Sequence, residues 1–405
     1  MLHNKDSQEK KVHAPRVHFW GIIIIFIGLG FYVGVWTVLV ADLTNALKLS
    51  PALLGIALSC FSSTGIVLLL LGSSLAEHLT RRLILLLGIG GLGIFFAAMA
   101  FVSSYALLLI IILVGGACAS CYDLAVNSIA GDYERHYVSK SMTLFHAGFS
   151  GGATLGAIGS ATALAGGIGF RVIYAATAIV FLLLAVVARW LPLPSVGLAT
   201  SVKVTDAASA PSHAQPSVMM LLAMPVMILA TILVSLSFFT DGTLEGFTSV
   251  YLRNLLGSGA LLGGMGIAAF YLIGMIGRLS STAALRRYGE RSVITMAGML
   301  SALGMIVALA TTSAPFAVGG LLLVGLGQAP LVPTAFSLAP RVGARQGARA
   351  VAIVTACGYS VFLISPLLIG LLAALLTLRV ALLLTIATSA GVVLIAQRLP
   401  NTHLA

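Results

Sequence analysis

The sequence predicts an all-α integral membrane protein: twelve transmembrane helices in two six-helix pseudo-repeats. Three observations predict it. The 405 residues are 59% hydrophobic and only 8% charged, against about 45–50% and about 25% in a typical soluble domain; mean hydropathy is +1.09. The apolar residues gather into long runs, each near the roughly 20 residues that a helical span needs. A polar stretch divides the runs into two sets of six. So little charge cannot surface a cytosolic enzyme or a disordered chain. The net charge of +11 does not mark a nucleic-acid binder either, because Lys and Arg stand singly or in pairs between apolar runs with no basic stripe.

The elements follow in order. Lys5, Lys10, Lys11 and Arg16 precede an apolar stretch from Phe19 to Ala41. It is too long for the h-region of a cleaved signal peptide, about 7–15 residues, so it reads as a retained first span over 18–41. Further spans read over 52–76, 82–102, 105–129, 142–166 and 171–191. Leu193 to Ser217 is rich in Ser, Thr, Ala and Pro and reads as a linker. Six more spans follow over 219–249, 260–284, 292–312, 314–337, 349–372 and 378–397. A membrane β-barrel would instead alternate apolar and polar residues in segments of about 10. The expected organisation is a tail (1–17), a six-helix bundle (18–192), a linker (193–217), a second six-helix bundle (218–398) and a tail (399–405).

The halves echo each other. Ser50-Pro51-Ala52-Leu53-Leu54-Gly55 matches Ser258-Gly259-Ala260-Leu261-Leu262-Gly263, and His146-Ala147-Gly148-Phe149-Ser150 resembles Ala356-Cys357-Gly358-Tyr359-Ser360. Parallel repeats about an axis along the membrane normal are a transporter arrangement. Of the 22 Lys and Arg, seventeen fall on the side of the termini and the linker. Lys48, Arg171, Arg253 and Arg379 fall on the other side, and Arg278 lies within span eight. The rich side reads as cytoplasmic, which places both termini inside.

With this layout the sequence resembles the major facilitator superfamily along nearly its whole length. That family's loop between spans two and three carries an acid and a basic pair. Here Ser73-Ser74-Leu75-Ala76-Glu77-His78-Leu79-Thr80-Arg81-Arg82 keeps both and lacks the glycines, and Leu285-Arg286-Arg287-Tyr288-Gly289-Glu290-Arg291 is the second-half copy. The resemblance implies gating contacts at helix ends by Glu77, Arg81, Arg82, Arg286 and Arg291; simple positive-inside charge is the other reading. Arg278, in the inner half of span eight, reads as a structural pair near the inner gate, with an anion site as the alternative. Asp123-Leu124-Ala125-Val126-Asn127, Phe145-His146-Ala147-Gly148-Phe149-Ser150-Gly151-Gly152, Asp241-Gly242-Thr243-Leu244-Glu245-Gly246 and Gly277-Arg278-Leu279 together resemble the fucose-permease-like and YbjJ-like branch. In fucose permease a span-four acid, with an asparagine four residues on, takes part in proton coupling. The resemblance implies that role for Asp123 with Asn127. The family's drug exporters carry an arginine in span four and a Gly-Pro in span five; this chain has Ile111 or Ile112 and Gly156-Ala157 there, which argues against a typical drug antiporter.

The polar residues within apolar runs are the candidate site. An ionised carboxylate near mid-bilayer costs about 2.5–3.5 kcal/mol on insertion scales, so it must protonate, pair or face water. Asp123 and Asn127 share a helical face, and an acid there can take up and release a proton. Ser237, Asp241, Glu245 and Ser249 stripe span seven at spacing four. Asp241 and Glu245 are candidates for solute contact, with Arg253 as a candidate partner at the outer end. His146 lies in a similar stripe on span five. Gln328, beside Pro330 and Pro333, could bond a polar solute. Tyr32 and Trp36 share a face of span one and could stack on a solute. Each has a plain alternative in helix packing.

No Walker loop, H-E-x-x-H or catalytic triad stands out, so no enzyme, cofactor or metal site is expected, and Cys118-x-x-Cys121 reads as packing. The expected protein is a monomeric secondary active transporter of a bacterial-type inner membrane. It would move a small polar, sugar-like solute with protons by alternating access. The rivals are proton-driven efflux of a small amphipathic compound, such as a drug or siderophore, and a non-transporting membrane sensor or scaffold. Its partners are the lipid bilayer, the solute and protons, with no nucleic acid.

Overall fold

The computed structural model describes residues 16–137, 141–193, 217–343 and 346–399, and leaves out the side chains of 69–78, Arg135 and Ala348. The expected tails and linker fall almost wholly outside the described residues. The first bundle comprises α1 (Arg16–Ala46), α2 (Pro51–His78), α3 (Arg81–Met99), α4 (Tyr105–Tyr137), α5 (Met142–Ala165) and α6 (Phe170–Trp190). The short α7 (Val218–Leu222) leads into the second bundle. That bundle comprises α8 (Pro225–Val250) with a π-turn over Tyr251–Leu255, α9 (Ala260–Tyr288), α10 (Glu290–Ala310), α11 (Ala314–Gln328), α12 (Leu331–Leu338), α13 (Gly347–Leu375), α14 (Leu378–Leu382) and α15 (Leu384–Ala396).

Lipid offers no hydrogen bonds, so each span must satisfy its own backbone as a helix. Ten stretches among the described residues are long and apolar enough to cross a membrane. One of them, Ala260–Ala310, holds two helices, α9 and α10, joined at Gly289, whose φ of 78° is left-handed. The remaining crossing is α5, whose apolarity is diluted by glycine, serine, threonine and His146. α11 and α12 form one interrupted span, broken at Pro330, and α14 with α15 forms the last. Prolines stand at the first turns of α2, α8 and α11, where a missing N–H removes no helical bond. The face where α1 begins and α15 ends is the tail face; the opposite one is the far face.

Within the first bundle α1 lies directly on α5. A Cβ on Gly30 would collide with the Phe149 carbonyl oxygen, and one on Gly34 would collide with that of Ala153. Gly152 and Gly156 of α5 meet the carbonyls of Ile27 and Phe31 as closely. Two G-x-x-x-G ridges thus interlock backbone to backbone. That is how helices gain packing energy in a solvent as apolar as their own side chains.

The halves meet along α2 against α13, α5 against α9, and α1 against α8. The α2–α13 crossing is again glycine-lined: Gly55 faces the Pro366 carbonyl and Gly370 faces that of Pro51. The second bundle is held inside by a polar ladder. Ser237 donates to Gln328 Oε1 (2.9 Å), Gln328 Nε2 donates to Ser301 (3.1 Å), and Ser389 donates to Ser301 (2.9 Å). All four residues are buried.

Gly34→Leu is expected to abolish folded protein, because no rotamer escapes the α5 backbone, whereas Gly159→Ala, with open space around its Cβ position, is expected to be neutral. Yield of monodisperse protein in detergent checks both.

Candidate functional site

Asp123 sits about 27 Å along α4 from its far-face end, at 1.5 Å per residue. Both of its carboxylate oxygens are occupied. Asn127 Nδ2 donates to Oδ1 at 2.9 Å, and the Tyr359 hydroxyl donates to Oδ2 at 2.8 Å. Asn127 is on the same helix, one turn on. Tyr359 comes from α13 in the other half, so this acid is held from both sides of the interface.

Glu245, on α8, accepts from the Tyr271 hydroxyl of α9. The Tyr271 ring packs edge-on against Phe149 of α5, with centroids 5.9 Å apart. Further along α9, Arg278 donates to Ser150 of α5, another tie between the halves. Arg278 also stands within electrostatic reach of Asp241, Glu245 and His146. Tyr32 of α1 stands within such reach of both Glu245 and Asp123. His146 is exposed, with its ring edge-on to Phe26 at 5.4 Å. Asp123, Asn127, Asp241, Glu245, Arg278, Tyr32 and Tyr359 are each partly exposed at mid-depth. The structure therefore gathers Asp123, Asn127, His146, Asp241, Glu245, Tyr32 and Arg278 into one polar cleft between the halves.

Two expected cleft residues lie elsewhere. Gln328 is 3% exposed and faces the interior of the second bundle, its amide spent on Ser237 and Ser301. Trp36 is buried within the first bundle, stacked on Phe61 at 5.8 Å and packed on Phe95. Arg278, expected in the inner half of its span, is the nineteenth of the 29 residues of α9 counted from the far face, and its tie to Ser150 of α5 sets it in the cleft. Arg253 does not serve Glu245. It makes a bidentate pair with Asp42 at the far end of α1, Nη2 donating to Oδ1 at 2.9 Å.

The far face holds further ties between the halves. Asn45 and Asn254 exchange amide hydrogen bonds at 3.1 and 2.9 Å. Ser249 donates to the Val38 carbonyl and Ser59 to that of Leu363, at 2.8 and 2.7 Å. Asn45 and Asn254 are 209 positions apart and bond each other reciprocally, as equivalent residues do on a two-fold axis.

At the tail face the polar ties described stay within one half. Arg81 pairs with Asp132 across α3 and α4, and Arg82 donates to the Leu191 carbonyl. Arg341 pairs with Glu290, which is 1% exposed. The positions 81 and 290, and 132 and 341, share the offset of the asparagines, with the charges exchanged. Arg291 donates to Gln397 Oε1 at 2.6 Å. Arg286 is exposed on α9, and the Glu77 side chain lies outside the described residues. Sequence reasoning missed Tyr271, Tyr359, Asp42 and the Glu290–Arg341 pair. The offset alone could have suggested the last, once Arg81 and Asp132 were paired.

Two helical bundles with a polar cleft between them define a membrane transporter. A sequence profile of the Major Facilitator Superfamily matches residues 20–347, and the chain belongs to that family. It is a multi-pass transporter of small-molecule solutes and not an enzyme. It is 28% identical over 379 residues to an MFS-type transporter of Yersinia pestis, covering 91% of this chain and 94% of that one. It is 29% identical over 342 residues to the transporter y4wD of Sinorhizobium fredii, covering 81% and 86%. In fold it is similar to the crystal structure of a point mutant of the nucleoside transporter NupG, with TM-score 0.77, 13% identity, and coverage of 94% of this chain and 99% of that one.

Two outcomes follow. Asp42→Asn is expected to loosen the far face, since charge-assisted bonds of this kind contribute about 1.5–3 kcal/mol; with Cys60, Cys118, Cys121 and Cys357 replaced, faster maleimide labelling of a Leu58→Cys reporter, buried against Gly246 of the other half, measures it. Gln328→Ala is expected to destabilise the second bundle by about 1–3 kcal/mol, the cost of stranding buried partners, while leaving solute affinity unchanged; thermal unfolding and a binding assay on the same sample separate the two effects.

Proposed function

We propose that this protein is a proton-coupled symporter of a small polar, sugar-like solute in a bacterial inner membrane. In this reading the tail face is cytoplasmic, as the distribution of Lys and Arg suggests, and both termini lie inside. The chain divides into bundles over 18–192 and 218–398 joined by the linker 193–217, and it works as a monomer. The bundles rock about the cleft, and the ties at the far face correspond to the state closed to the outside. The tail-face residues Glu77, Arg81, Arg82, Arg286 and Arg291 act when that face closes. The nearer kinship with the fucose-permease-like branch is part of the same proposal.

The observation that carries it is the hydrogen-bond set of Asp123. One donor, Asn127, travels with the acid. The other, Tyr359, belongs to the opposite half. Rocking that separates α4 from α13 removes a donor from the carboxylate, and so changes how well its charge is stabilised. Proton affinity and conformation are thereby linked, and linkage runs both ways. His146, Asp241, Glu245, Arg278 and Tyr32 supply the polar lining for the solute.

Asp123→Asn is expected to abolish solute-driven proton movement. The measurement is internal pH in proteoliposomes challenged with sugars, polyols, amines and known efflux substrates. Acidification on inward solute flow, lost in the variant, supports symport through Asp123. Alkalinisation indicates antiport. An unchanged signal in the variant removes Asp123 from the mechanism.

A further inference from the structure

Ionisable groups are unequally shared in the cleft. Among the described residues, three carboxyl groups stand at mid-depth, Asp123, Asp241 and Glu245, against one guanidinium, Arg278, and the imidazole of His146. Acceptor oxygens outnumber donors there, so a solute that brings donors fits better than one that brings further acceptors.

The hydrogen bonds are unequally shared as well. Asp123 has a donor on each oxygen. Glu245 has Tyr271, and Arg278 has spent an N–H on Ser150. Asp241 differs: its Oδ1 is buried and holds no hydrogen bond. A buried carboxylate oxygen without a donor is costly. A ligand that brings its own donor recovers that cost.

The surroundings of Asp241 narrow the donor. Phe238, three residues back on α8 and so on the same face, packs against the rings of Tyr359 and Phe362 at 5.6 and 6.2 Å. Phe238, Tyr359 and Phe362 are only partly buried. A carboxylate one helical turn from a partly exposed aromatic cluster suits a cation that carries hydrogen-bond donors, because ring faces attract positive charge. Glu245, one turn on, supplies a second acceptor oxygen.

We propose that the cleft selects polar solutes bearing an ammonium group, and that Asp241 is the acceptor for it. The proposal rests on the transporter reading above and specifies its solute class. The ammonium donates to Oδ1 of Asp241, and the hydroxyls of the same solute meet Glu245, Tyr32 and His146.

The test is counterflow into proteoliposomes of matched probes: glucosamine, glucose, N-acetylglucosamine and glucuronate, with ethanolamine beside ethylene glycol. The amines are expected to enter at least about tenfold better than their neutral or anionic partners, a factor that corresponds to about 1.4 kcal/mol. Asp241→Asn should erase that preference, and Asp241→Glu should restore much of it. Size-exclusion profiles of both variants establish that they are folded. Neutral probes that enter as well as the amines would overturn the proposal while leaving the transporter reading in place. An amine preference that survives Asp241→Asn would overturn the role of Asp241. Uptake of no amine would overturn the solute class, and the proton assay with the neutral probes would then decide separately whether the transporter reading falls.

Discussion

A carboxylate inside a bilayer must be bonded, paired or wetted, and the structure is arranged around that constraint. Three acids lie at a depth where water is otherwise excluded, and each faces the seam between the bundles. Asp123 is bonded from both halves. Glu245 is bonded by a tyrosine whose ring touches the opposite half. Facing lipid, any of them would cost about as much as a bundle gains from several close-packed contacts. The seam must therefore admit water or solute, and the helices around it cannot close into a uniform apolar core.

The remaining architecture lets such a seam exist without the molecule falling apart. Each bundle is rigid for its own reason. In the first, α1 and α5 interlock through glycines at backbone distance. In the second, a buried ladder through Ser237, Gln328, Ser301 and Ser389 ties α8, α11, α10 and α15. Tail-face ion pairs with exchanged signs close each bundle upon itself. Between the bundles the far face is joined by polar bonds, among them Asp42 with Arg253 and Asn45 with Asn254 on the pseudo-axis, and by the glycine-lined crossing of α2 and α13. Two internally tied bodies that meet along a few helix crossings and polar bonds suit a rocking mechanism.

Much of this is legible in the sequence, and what is not has physical causes. Helix number and order follow from apolar run length, because lipid permits little else. Even α5, the least apolar span, can be read from its length and flanks. Asp123 and Asn127 are legible because a pair at spacing four shares a helical face whatever the tertiary structure. Their partner Tyr359 is not, because a tyrosine in an apolar span looks the same whether it packs or donates. Gln328 illustrates the converse. A polar residue in a span must be satisfied, but periodicity does not say whether a neighbouring serine or a solute does so. Proximity along α8 assigns Arg253 to Glu245, whereas its carboxylate lies on α1, far away in sequence and close only once the halves are docked.

The central claim is that two rigid halves exchange closure of the far face for closure of the tail face about the acid-lined cleft. Distances between spin labels in lipid test it most directly, with one pair on Ser50 and Leu255 at the far face and another on Leu83 and Tyr288 at the tail face, all exposed positions. The account predicts opposite changes: as the solute or proton load varies, the population with a longer far-face distance has a shorter tail-face distance. Distances that stay fixed, or that lengthen and shorten together, would contradict it.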